Sequence, residues 1–205
     1  MTLLVTCAPG LEKLLAAEVS ALLARLDLTG LTVSVAADGV RVELGTADAQ
    51  SVLGALNLGL GLATSVRVEL GSFSASQFPQ LVRKLKQLEW KTWIPRGVAV
   101  DVRVRSLRSR LYHTKAIADR TRRAIAEALG VPSVDALEPD STEPHARVHV
   151  DGSENQFSVS VDTSGEPLYR RGYRLATGKA PWRADLARAL VVASGWTGST
   201  PLGDP

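Results

Sequence analysis

Apolar residues at Leu11, Leu14, Leu15, Val19, Leu22, Leu23 and Leu26 recur every three or four positions, which predicts a helix with one core-facing side. A short apolar run, Leu3 to Thr6, precedes it and reads as a strand, with Pro9 and Gly10 turning the chain between them. Leu31 to Val35 and Val40 to Leu44 change to a period of two around Asp38 and Gly39, the signature of a hairpin. A second helix is expected over Ala47 to Leu58 and a further strand over Ala63 to Leu70. The resulting order, β-α-β-β-α-β, is ferredoxin-like, with two helices packed on one face of an antiparallel sheet.

Small and polar residues from Gly71 to Ser76 mark a boundary, after which a second α/β domain begins. Its predicted elements are a basic helix over Gln77 to Leu88, a strand over Val98 to Val104 and a long helix over Leu111 to Leu129 stopped by Gly130, Val131 and Pro132. The acidic, proline-containing stretch Ser133 to Pro144 suits an exposed connection. Ala146 to Val150 and Gln156 to Val161 then form a hairpin around Asp151 to Asn155, and a last helix covers Trp182 to Ala193. The expected division is an α+β arrangement of a ferredoxin-like domain over residues 1–72, a second domain over 73–164 and a connecting piece over 165–205.

Composition narrows the class. With 205 residues and 45% hydrophobic content the chain has material for two small cores. Its longest apolar stretches, such as Leu53 to Ala63, are interrupted well before the roughly 20 residues a membrane span needs. The N-terminus lacks the basic flank and apolar core of a secretory signal, so a cytoplasmic protein without membrane contact is expected. Cys7, the single cysteine, has no nearby His or Cys partner and reads as a structural thiol.

The net charge of +3 conceals a strong segregation. Residues 79–123 carry 13 basic and 3 acidic side chains, a local charge of +10, against −3 before them and −7 over residues 124–164. Such a block suits a polyanion, whose counterions are released on binding; a solvated basic face accounts for it equally. On the long helix, Ile117, Thr121, Ala124, Ile125 and Ala128 share one side while Lys115, Asp119, Arg122 and Arg123 lie away from it. Arg103 and Arg105 fall on one side of the preceding strand, and Arg108 and Arg110 sit in the loop feeding the helix N-terminus, where backbone N–H groups favour phosphate. Arginine forks suit bidentate phosphate contact and stacking on bases. Tyr112 and His113 interleave with these cations and suit either stacking on unpaired bases or helix-start packing. Trp90 and Trp93 flank Lys91 and fit either a stacking platform or the core. His145 and His149 lie on a predicted strand with no Cys or carboxylate arranged for metal, and read as surface histidines.

The segment SRLYHTKAIADRTRRAI, residues 109–125, closely resembles the THUMP domain of bacterial RNA methyltransferases, where a similar Ser-basic-Leu-Tyr-His-Thr run opens a helix. TCAPGLEKLLAAEV, residues 6–19, is similar to the start of the same proteins, and DTSGEPLYRRGYRLATGKAPWRADLARAL, residues 162–190, to their lead into the catalytic domain. The resemblance implies RNA binding for a guanine-N2 methyltransferase acting on ribosomal or transfer RNA, a methyltransferase domain in cis and S-adenosylmethionine as the parent protein's cofactor. It makes Lys84, Arg103, Arg105, Arg108, Arg110, Tyr112, His113, Lys115, Arg122 and Arg123 the expected RNA-binding residues, on a monomer.

The chain departs from that family at its end. Asp204 and Pro205 stand where the family opens a glycine-rich cofactor loop, but neither that loop nor the later Asn- or Asp-Pro-Pro-aromatic motif is present. Gly203 replaces an expected apolar residue and Trp182 an expected leucine. No catalytic, cofactor-binding or metal-binding residue is therefore expected within residues 1–205. Two other readings remain: a THUMP portion attached to different RNA-modifying chemistry, or a stand-alone RNA-binding adaptor.

Overall fold

A computed structural model of the chain describes residues 1–135, 144–172, 181–201 and 203. The elements run β1 (Thr2–Cys7), α1 (Glu12–Arg25), β2 (Thr32–Ala36), β3 (Gly39–Glu43), α2 (Ala49–Gly59), β4 (Ala63–Ser74), α3 (Phe78–Leu85), α4 (Trp90–Trp93), β5 (Ala99–Leu107), α5 (Thr114–Leu129), β6 (His145–Ser153), β7 (Gln156–Asp162) and α6 (Ala184–Ala193), with a 3-10 turn at Leu168–Arg170 before α6. They form two compact units: Met1–Arg67 together with the chain from Glu166 onward, and Val68–Gly165. Asp204 and Pro205 lie outside the described residues, as does most of the acidic stretch from Ser133 to Pro144.

In the first unit the strand order β2-β3-β1-β4 is that of a ferredoxin-like sheet. β3 is antiparallel to both β1 and β2, with Val5 opposite Val40 and Ala36 opposite Gly39. The period of three and four in α1 buries Leu15, Val19, Leu22 and Leu23. Asp48 starts α2 by accepting a hydrogen bond from the Ser51 amide at 2.8 Å, and Val52 and Leu56 face inward. Gly39 is irreplaceable for two reasons. Its φ of +145° is a glycine conformation, and a Cβ there would stand 2.1 Å from the Val5 carbonyl oxygen. Gly39→Ala is expected to cost about 3 kcal/mol or more, read as a lowered Tm in circular dichroism; an unchanged Tm contradicts the packing described.

The segment after Glu166 is tied to this unit by charged contacts to backbone. The Glu18 carboxylate accepts from the amides of Gly61 (3.1 Å) and Leu62 (2.9 Å) and from the Arg188 Nε of α6 (2.7 Å). The Arg171 guanidinium donates to the Leu60 carbonyl at 2.6 Å and to that of Asn57, satisfying acceptors at the C-terminal end of α2. Asp185 is fully buried and held by both arms of Arg183, whose guanidinium lies 4.3 Å from the Tyr169 ring centre. Cys7 is pushed up to about 11 by burial and by the Glu12 and Asp185 carboxylates, so its thiol stays protonated.

The second unit contains the strand order β4-β7-β6-β5, with β5 parallel to β6 and β6 antiparallel to β7. Val100, Val148, Val150, Phe157, Val159 and Val161 meet Leu81, Leu85, Trp90, Ile94, Ile117, Ile125 and Leu129 in one buried cluster. The expected face of α5 is the buried one: Ile117, Thr121, Ala124 and Ile125 all point inward. Several boundaries differ from the sequence pattern, among them β6, which runs to Ser153 instead of ending at Val150, and α6, which starts at Ala184 instead of Trp182. β4 continues beyond Leu70 to Ser74, since its end is paired beside β7 and the following Ala75 amide bonds to the Asn155 carbonyl at 2.9 Å. The helix expected over Gln77 to Leu88 stops at Leu85, and a separate short turn of helix, α4, brings Trp90 into the core. β5 extends through Leu107 because it pairs with β6 residue by residue from Ala99↔His145 to Leu107↔Ser153. The helix expected from Leu111 begins at Thr114, leaving Leu111 to His113 in the preceding loop.

Candidate nucleic-acid interface

The loop from Arg108 to His113 is the feature around which the expected residues gather. Its backbone is held from below by the β6–β7 turn, whose central residues Glu154 and Asn155 both have positive φ, 51° and 65°, as a tight hairpin requires. Asn155 is the hub. Its side-chain oxygen accepts from the Arg110 amide (2.8 Å), its own amide donates to Ser109 Oγ (3.0 Å) and its carbonyl accepts from Ala75. The Glu154 amide donates to the Leu107 carbonyl at 3.1 Å, and Ser106 Oγ donates to the Leu111 carbonyl at 2.6 Å. Leu111 is buried, so the side chains flanking it are carried outward.

The outward side chains are Arg110, Tyr112 and His113, followed by Lys115 in the first turn of α5. Tyr112 is 66% exposed, and its ring lies 4.1 Å from that of His113, centre to centre. Exposure at this level rejects helix-start packing for Tyr112 and leaves a flat aromatic surface in solvent. The first intrahelical bond runs from the Ile117 amide to the His113 carbonyl, so the amides of Thr114, Lys115 and Ala116 face the loop without partners within the helix. Cations, rings and amides thus meet at one helix N-terminus, the arrangement that attracts phosphate.

The remaining expected residues are placed elsewhere. Arg122 and Arg123 lie seven and eight residues beyond Lys115, about two turns further along α5, Arg123 exposed and Arg122 partly buried and held by Asp119. Lys84 is half-buried on α3. Arg103 and Arg105 do share one side of β5, the face opposite the core, because Val100, Val102 and Val104 pack inward. Each is paired there: Arg103 with Asp101 at 2.9 Å and Arg105 with Asp151 at 3.2 Å. Arg108, with φ of 48°, approaches Glu154 at 3.9 Å. Among the described residues Arg110, Lys115, Arg123 and Lys84 have no carboxylate partner, so the cations with unspent charge are concentrated on the helix side.

Asp101 explains the paired side. Burial raises its carboxyl, but hydrogen bonds from Arg147 (3.0 Å) and Arg103 (2.9 Å) outweigh that effect and hold it below the ordinary carboxylate range. A depressed carboxyl stabilises the fold above its unfolded value, about 3.9, and that contribution is lost as pH falls through the folded value. Asp101→Asn is therefore expected to lower the urea midpoint at pH 7, with the difference from wild type narrowing toward pH 3. A constant difference across that range contradicts the pairing.

Two histidines and two tryptophans complete the inventory. His149 Nε2 lies 3.9 Å from Asp162 Oδ2, and His145 Nε2 lies 3.1 Å from Arg147 Nη2; both rings are partly covered rather than on the open surface. Trp90 is 1% exposed and donates from Nε1 to the Leu85 carbonyl at 2.7 Å, while Trp93 packs partly buried against the same core, so the pair forms no stacking platform. No group of three or more His, Cys, Asp or Glu among the described residues is placed to hold a metal, and no helix there is long and apolar enough to cross a membrane. Asn155 and Ser109 are the contributors that residue type alone does not single out. An Asn at a two-residue hairpin turn is the signal that marks the first.

Residues 75–162 match the THUMP domain family. YpsC of Bacillus subtilis, named as a candidate RNA methyltransferase, is 33% identical over 150 residues, which is 73% of this chain and 39% of that protein. The ribosomal RNA large subunit methyltransferase K/L of Pseudomonas savastanoi pv. phaseolicola is 30% identical over 194 residues, 95% of this chain and 24% of its own length. Among solved structures, that of a predicted N6-adenine-specific DNA methylase from Listeria monocytogenes superposes with a TM-score of 0.78 at 28% identity, covering 95% of this chain and 48% of that one. The chain spans less than half the length of each of these proteins. The second unit carries a THUMP domain, and the chain is a THUMP-domain protein similar over nearly all its length to part of proteins named as methyltransferases.

Proposed function

We propose that this chain binds RNA and presents it to an S-adenosylmethionine-dependent RNA methyltransferase domain of a longer parent protein, with guanine N2 in ribosomal or transfer RNA as the methylated position. The observation that carries the reading is the locked loop before α5, which sets Arg110, the Tyr112–His113 pair and Lys115 in solvent at a helix N-terminus of the THUMP unit. Phosphate oxygens are bound by Arg110, Lys115 and the free amides, with Arg123 extending the track, Lys84 at its margin, and Arg108 and Arg122 joining it only as they leave Glu154 and Asp119. Tyr112 and His113 stack on unpaired bases. Arg103 and Arg105 contribute the least, because binding must first break their pairs with Asp101 and Asp151.

The three-part division follows the same reading: residues 1–72 as scaffold, 73–164 as RNA-binding domain and 165–205 as the lead toward the catalytic part. Cofactor and catalytic groups belong to that part, and the chain acts in the cytoplasm as a monomer. The names of the relatives divide between RNA and DNA, which makes polymer and base direct objects of the test. Crosslinking the chain to total cellular nucleic acid and sequencing what is retained should enrich one ribosomal helix or a transfer RNA, with single-stranded DNA of the same sequence competing poorly. Enrichment of DNA, or retention without preference, overturns the assignment.

A further inference from the structure

α6 (Ala184–Ala193) sits on the ferredoxin-like unit with little apolar burial. Its buried side chains are Asp185 and Ala189, one turn apart, whereas Leu190 is 57% exposed and Val192 42%. A single alanine methyl removes too little surface from water to fix the angle of a helix ten residues long. What fixes it is polar: Asp185 at its start, gripped by Arg183, and Arg188 about a turn further on.

Arg188 reaches a site built by the scaffold itself. The Glu18 carboxylate, largely buried on α1, accepts from the Gly61 and Leu62 amides where the chain passes from α2 into β4. Those bonds orient it from within the unit, and Arg188 Nε and Nη2 then both lie 2.7 Å from its Oε1. A second observation is steric. Gly61 has no positive φ that calls for glycine, yet a Cβ there would stand 2.2 Å from Arg188 Cδ and 2.4 Å from its Nε. The Arg188 side chain lies flat across bare backbone, and that crossing explains the residue type at position 61.

A carboxylate anchored by scaffold amides, a guanidinium seated on it and a glycine that clears its path make one socket. We propose that Glu18 is a positioning residue for methyl transfer: through this socket it holds α6 at one angle on the ferredoxin-like unit and so fixes the direction in which the chain runs on into the methyltransferase domain. This rests on the reading of a longer parent protein that methylates RNA, and it gives the first unit a task distinct from RNA binding. Glu18, Gly61 and Arg188 all lie outside the THUMP unit, so the socket acts on the chemical step and not on RNA affinity.

Hydrogen exchange in the full chain reads the socket, and methylation of RNA by the parent protein reads its consequence. Glu18→Gln, which keeps the shape and removes the charge, should speed amide exchange in α6 about tenfold, as loss of a charge-assisted bond implies, with β6 and β7 unchanged. Gly61→Ala should do the same by pushing Arg188 aside, and should add nothing further in an Arg188→Ala background, where the obstacle is gone. In the parent, both variants should lower kcat on the order of tenfold with the Kd for RNA unchanged, as expected when reacting groups are misaligned from a distance. Unchanged α6 exchange, or a Gly61→Ala effect that persists without the Arg188 side chain, overturns the socket. Faster exchange with unchanged kcat, or a loss of RNA affinity alone, overturns the positioning role. A parent that transfers no methyl group to RNA removes the methylation reading and the positioning role with it, and α6 exchange then still separates a working socket from none.

Discussion

Replacing Arg110, Tyr112 and Lys115 together with alanine is expected to lower RNA affinity by on the order of 100-fold at 0.1 M salt. Each lost phosphate contact removes about a fivefold contribution at that salt, and one lost stacked base removes about tenfold. The loop itself should survive, because it is held by the Arg110 amide rather than its side chain, by Asn155, and by buried Leu111. Tyr112 is largely exposed, so its loss opens no cavity. Filter binding measures the loss and circular dichroism checks the fold. Arg103→Ala with Arg105→Ala serves as the contrast, since both cations are already engaged by carboxylates and should cost only a few-fold. A larger effect from the second pair would move the interface to the outer sheet face.

Trp90→Ala is expected to have the largest effect on stability, on the order of 3–5 kcal/mol, because it empties a fully buried indole site and leaves the Leu85 carbonyl without its 2.7 Å donor. For a unit of this size that corresponds to a fall in Tm of about 15 °C or more. The variant also separates two meanings of an aromatic residue in a basic region. A core tryptophan gives an unstable protein whose folded fraction still binds RNA, whereas a stacking tryptophan gives a stable protein that binds poorly. A Trp90→Ala chain with unchanged Tm and weakened binding would falsify the buried placement.

What the sequence made legible was the part written in local periodicity. The inward side of α5, the strand order implied by β-α-β-β-α-β and the clustering of cations before and along α5 all follow from spacing over a few residues. What it hid depends on partners far away in the chain. Whether Arg105 is free or paired is decided by a parallel register that sets it opposite Asp151, 46 residues on. The start of α5 at Thr114 depends on Leu111 dropping into the core, although its apolar side chain also fits a helical pattern. Asn155 becomes the support of the loop only through the β6–β7 turn, and Arg188 finds Glu18 across 170 residues. The contact of the Arg120 guanidinium with the Phe78 ring, 3.9 Å from its centre, has the same origin, since neither residue type nor spacing within either helix foretells that the two will meet.

Salt dependence reads the unpaired cations of the THUMP unit most directly. With about five phosphate contacts to single-stranded RNA, a plot of log K against log salt for the full chain should fall with a slope of about −3.5. The Arg110→Ala, Lys115→Ala variant should flatten that slope by about 1.4, two contacts' worth. Binding that is absent, or that does not change with salt, contradicts the account.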